Sequence, residues 1–131
     1  MKIIFNNLLF CGIITFASLA QANESHVLVN FGHKVTQYKI TTQYKNKEPH
    51  VTVKSSRTEK STQLSTENSK YLLKKIKELI ATPSNKRELC PRQYILTTFN
   101  KKAVVGCIAS PTPAAVRSKK LVNTLTMAEL L

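Results

Sequence analysis

The chain has no aspartate: all seven of its acidic residues are glutamates, set against 20 lysines and arginines. This excludes aspartate dyads, aspartate-rich calcium loops and any aspartate-assisted nucleophile. There is no tryptophan and there are only three glycines, so no Gly-rich loop exists to cradle a phosphate, and no serine stands in a G-x-S-x-G setting. Glu48, Glu59, Glu67, Glu78 and Glu88 show no spacing that pairs two carboxylates on one element. Glu78 follows Lys74 by four residues and Lys70 by eight, a spacing expected to give a helix-face ion pair. His26, His33 and His50 fall in separate strand ends and turns, and the cysteines form no C-x-x-C pair of the kind zinc requires. The residues therefore point to a non-enzymatic protein with no cofactor and no metal site.

Long apolar runs are also scarce. Leu8 to Ala20 is free of charge, but its 13 residues fall short of the ~20 that span a bilayer as a helix. Lys2 precedes the run and Ala20-Gln21-Ala22 follows it as a small-x-small site before the polar Asn23-Glu24-Ser25. That order is the signature of a signal peptide, residues 1–22, cleaved after Ala22, and it predicts a secreted or periplasmic protein. Cys11 lies inside the signal, and Phe10 before it does not suit a lipidation site.

Cleavage removes Lys2 and leaves 19 basic residues against seven glutamates, a net charge of +12. Such a field attracts anionic partners: lipid head groups, acidic envelope polymers or an acidic protein face. Export ranks nucleic acid below these. Lysine dominates over arginine, which favours diffuse attraction over planar bidentate recognition. Cys90 and Cys107 remain as an even pair bound for an oxidising compartment, where a disulfide is expected. Closing that loop would stabilise the domain by about 3 kcal/mol on the chain-entropy estimate.

Along the mature chain, His26 to Phe31 alternates with Val27 and Val29 inward, and Gly32-His33 reads as a turn. Tyr38, Ile40, Thr42 and Tyr44 share one strand face, with Val35 out of phase, which predicts a bulge near Thr36 or Gln37. Turn residues from Lys45 to Pro49 then predict a hairpin of Tyr38–Tyr44 against His50–Ser56. Arg57 to Gln63 reads as a loop. Ser65 or Thr66 caps a helix whose stripe is Leu72, Leu73, Ile76, Leu79 and Ile80, stopped by Pro83. Arg92–Phe99 and Ala103–Ala109 flank Asn100-Lys101-Lys102 as a second hairpin that sets Cys107 opposite about residue 94. The expected fold is a small α+β domain over residues 23–110: an antiparallel sheet of about five strands, ordered β-β-β-α-β-β, with one amphipathic helix and one disulfide. Residues 111–131 read as a Pro/Ala linker followed by a short helix or a mobile tail.

The candidate anion-binding residues are Lys70, Lys74, Lys75 and Lys77 on the helix, Lys101 and Lys102 at the hairpin tip, and Lys119 and Lys120 in the tail. Tyr38-Lys39, Tyr44-Lys45 and Arg92-x-Tyr94 place tyrosines beside cations, a pattern that base-stacking sheets also use. The reading is a small exported basic protein that engages an anionic partner through its lysines. The alternative is a protein-interaction factor, an inhibitor or assembly subunit, that uses a sheet edge or the disulfide-braced hairpin.

Overall fold

Alternation of β-branched and polar residues builds most of the molecule. The computed structural model describes residues 23–82, 92–109 and 112–130. The elements are β1 (Asn23–Asn30), β2 (Val35–Lys45), β3 (Glu48–Ser55), β4 (Ser61–Gln63), α1 (Thr66–Ile80), β5 (Tyr94–Phe99), β6 (Lys102–Cys107) and α2 (Pro113–Glu129). The strands form one sheet ordered β4-β3-β2-β1-β5-β6, each neighbour antiparallel. Both helices pack on the same face, over Val27 and Val29 of β1, Tyr38 and Ile40 of β2, Val51 and Val53 of β3, Ile95 and Val104. The protein is a small α+β domain. No helix among the described residues is long and apolar enough to cross a membrane.

The first helix forms as its stripe predicts. Ser65 caps it, its hydroxyl accepting from the Asn68 amide at 3.2 Å, and Leu72, Leu73, Ile76 and Leu79 are buried. Both expected hairpins form: the first pairs Tyr38 with Ser55, and the second keeps the expected register, with Tyr94 opposite Cys107.

Four expectations need correction. The sheet has six strands because Ser61–Gln63, inside the presumed loop, pairs with Thr52–Lys54. There is no bulge at Thr36 or Gln37: β1 and β2 stay in continuous register from Asn30–Val35 to Asn23–Thr42. Thr36 simply takes the inward position and Val35 lies 55% exposed. Nor are Pro113, Ala114 and Ala115 linker. Thr112 caps a second helix, its hydroxyl accepting from the Ala115 amide, and Pro113 supplies a first-turn φ that needs no donor. That helix is docked, with Leu121 and Leu125 fully buried, so the fold has two helices instead of one.

Gly106 makes the docking possible. A Cβ there would lie 2.8 Å from Ser118 Oγ and 2.9 Å from Ala115 Cα. Small residues on both sides let α2 approach β6 closely. The expected signal segment, Cys11 and Cys90 lie outside the described residues, and Cys107, whose expected partner is Cys90, closes β6.

Candidate functional site

Topology gathers cations at one end of the sheet. β2 and β5 both run antiparallel to β1, so they run parallel to each other and their C-terminal turns emerge at the same end. Those turns are near copies. Asn46-Lys47 (φ 52° and 66°) and Asn100-Lys101 (φ 50° and 67°) each place two residues in the left-handed region. This is the type I′ geometry of a two-residue hairpin loop, whose second position usually holds glycine. Lysine there carries backbone strain of about 1 kcal/mol. Three strand spacings separate the two tips laterally, about 14 Å, and because Ser25 faces both Ile40 and Phe99 the β2–β3 tip reaches roughly 16 Å further along the strand direction, so the tips stand roughly 20 Å apart.

The first helix crosses this same end. Ser69 meets Val51, the fourth residue of β3, Lys70 Nζ lies 3.2 Å from Glu48 Oε2, and the helix goes on to contact β5 and β6. Lys70, Lys74 and Lys77, with Tyr44, Pro49, Leu73 and Glu78, line an open groove of about 460 Å³. From Lys70 to Lys77 the helix rises about 10 Å. Lys45, Lys47, Lys101 and Lys102 therefore share an end of the domain with the helical lysine row. Glu48 offsets part of that charge, but its pair with Lys70 is exposed on both sides and is a weak one.

The remaining predicted lysines do not join this site. Lys75 turns toward α2, with its ammonium 5.1 Å from the centre of the Tyr71 ring. It pairs with Glu78 at 3.7 Å, so Glu78 takes the i−3 lysine and not the i−4 Lys74. Lys75 and Lys120 line a small hollow with Glu78 and Arg117. Lys119 is exposed on α2.

The aromatic pattern divides as well. Tyr38 points into the core and donates from its hydroxyl to Glu129 at 2.8 Å, so it is no stacking surface. Tyr44 is 52% exposed beside the helical lysines. His26 sits 3.6 Å from Glu24 and His50 faces Gln43 across the hairpin. Among the described residues no three His, Cys, Asp or Glu side chains come together as a metal site. The groove between the helices, about 360 Å³, is lined by Leu64, Asn68, Tyr71, Thr124, Met127 and Ala128 and offers no charged lining group.

The opposite end of the sheet holds a buried, perturbed carboxylate that sequence reasoning passed over. Glu129, at the end of α2, has a side chain only 4% exposed and accepts from Arg57 Nη2 at 2.7 Å as well as from Tyr38. Burial alone would raise its pKa. Hydrogen bonds from Ser55, Arg57 and Tyr38, together with the Arg57 charge, outweigh burial and lower it. Burial, aided by Glu129, pushes the Tyr38 hydroxyl up. This is a clamp that fixes α2 to β2 and the β3–β4 turn. No spacing in the chain links residues 38, 57 and 129, so only the fold reveals it.

No family model, curated protein or solved structure matches the chain.

Proposed function

We propose that this is an exported, non-enzymatic binding protein that docks on an anionic surface through the lysine-rich end of its sheet. The observation that carries the reading is the paired Asn-Lys turns. Two hairpins at the same end each hold lysine in a left-handed position where glycine would be less strained, a local cost that marks sites kept for a purpose other than stability. The helical row Lys70, Lys74 and Lys77 adds to the same surface beside the β2–β3 hairpin. Partners that fit are acidic envelope polymers, lipid head groups or an acidic protein face, all of which meet a broad lysine field without bidentate geometry.

Export fits this arrangement. Cleavage after Ala22 makes Asn23 N-terminal, and Asn23 opens β1 at the same end, pairing with Thr42. Its α-amino group would add a further positive charge there. Export also supports a Cys90–Cys107 disulfide bracing the β5–β6 hairpin.

Retention on immobilised heparin and on anionic vesicles tests the reading. Replacing Lys70, Lys74 and Lys77 by glutamine should weaken retention at low salt by about tenfold or more, and rising salt should abolish it. A charge-matched control replacing Lys34, Lys60 and Lys119 should change retention far less. Equal loss in both variants would reduce the surface to net charge alone and sink the proposal.

A further inference from the structure

The two edges of the sheet are finished differently. On the β3 side the outward-pointing positions are 49, 51, 53 and 55. Pro49 has no N–H to offer. The Val51 amide donates to the buried Ser69 hydroxyl at 3.0 Å, while its carbonyl accepts from Leu64 at 2.9 Å. Val53 pairs with Thr62 of β4, and the Ser55 amide reaches the Lys60 carbonyl. The strand that finally forms this edge, β4, is only three residues long. Short strands, proline and side-chain caps are the usual protections against pairing with another chain.

β6 has none of these among the described residues. Its six residues pair with β5 alone. The two-residue turn after Phe99 and the Ile108 amide donating to the Gln93 carbonyl fix the phase: even-numbered residues bond to β5. The N–H and C=O groups of Ala103 and Val105 therefore point away from the sheet. On the face opposite the helices, the register lines up Val105, Leu96 and Leu28 in one apolar row running inward from this edge. Lys101 and Lys102 stand at its beginning.

We propose that β6 is a strand-addition site for an extended acidic segment of a partner protein. The backbone of Ala103 and Val105 supplies the ladder, and the Val105–Leu96–Leu28 row accommodates alternate apolar side chains. Antiparallel addition sets the C-terminal end of the incoming strand beside Lys101 and Lys102, where acidic residues complement them. A second copy of this chain is the poorer occupant, because each copy brings a charge of +13 before signal removal and lysines at its own edge. The proposal rests on the backbone and is independent of the anion-surface reading.

The probe is a short peptide alternating valine and threonine and ending in two glutamates, added to the mature protein while amide exchange is followed residue by residue. At saturation the Ala103 and Val105 amides should slow by about tenfold or more, with Val104 and Gly106 little changed. Protection should survive about 0.5 M salt, which removes heparin retention, so each reading can fail without the other. Val105→Pro deletes an outward donor and no internal ladder bond; it should weaken peptide binding about tenfold or more. If the proline variant does not fold, the wild-type amides still decide. Unchanged exchange at Ala103 and Val105 would overturn the proposal. So would their protection by self-association at rising protein concentration without peptide.

Discussion

The two helices cover one face of one sheet at opposite ends of its strands, and they serve opposite ends. The first turns Lys70, Lys74 and Lys77 outward beside Tyr44 and Pro49 of the β2–β3 hairpin, and its outward surface contributes charge. The second turns small residues and leucines inward, approaches Gly106 closely and ends in the buried carboxylate of Glu129. One helix presents a surface and the other closes a core. The difference shows that a strongly basic domain need not place its charge and its stability on the same residues.

Substitutions at the second helix should have the largest effect on stability. Leu121→Ala, at a fully buried position, should cost about 2–5 kcal/mol in denaturant unfolding. A loss within the surface range would mean that α2 is peripheral and the contrast false. Gly106→Ala should cost about 1–3 kcal/mol, because the added methyl meets the Ala115 backbone and the Ser118 hydroxyl. Neutral behaviour would show that α2 can shift away without loss.

Smaller effects test the two ends directly. Glu129→Gln should lower the unfolding midpoint near neutral pH and flatten its acid dependence. The folded chain binds the Glu129 proton less tightly than the unfolded chain. The stabilisation is therefore present above the ordinary glutamate value of about 4.3 and lost as pH falls through the lower folded value. An acid limb unchanged by the substitution would remove Glu129 from the clamp. At the other end, Lys47→Gly and Lys101→Gly should each raise stability, by about 0.5–1 kcal/mol, since glycine relieves the left-handed strain. The same variants should bind heparin less well. Gain of stability without loss of binding would leave the strained lysines without a purpose.

Much of this was legible along the chain. Hydrophobic spacing located α1 and its cap, and the alternation around Asn100 set Tyr94 opposite Cys107. The second helix was harder to read because Pro111-Thr112-Pro113 resembles a linker, whereas Thr112-Pro113 is also a cap followed by a first-turn proline. Its apolar stripe is diluted by Ala114, Ala115 and Ser118, which are small because β6 is close and not because the segment is extended. The three strand residues Ser61–Gln63 carry no period of their own; they pair only because Val53 presents an edge.

For the candidate site, the lysines could be named but not gathered. Lys70, Lys74 and Lys77 share a helix face by local geometry alone. Their placement at the same end of the sheet as Lys101 and Lys102 requires β1 to sit between β2 and β5, a nonlocal pairing. Lys75 and Lys120 were separated from the group by the packing of the two helices.

The sequence by itself determined the charge-free run from Leu8 to Ala20, the excess of positive charge, the first helix and both hairpins, because each is read from composition or from residues near one another in the chain. Tertiary structure alone decided that both Asn-Lys turns face one way, that Glu129 meets Arg57 and Tyr38, and that, among the described residues, one edge of the sheet is sealed while the other is left open. Those outcomes depend on strand order and on contacts between residues far apart in the chain, which local spacing does not encode.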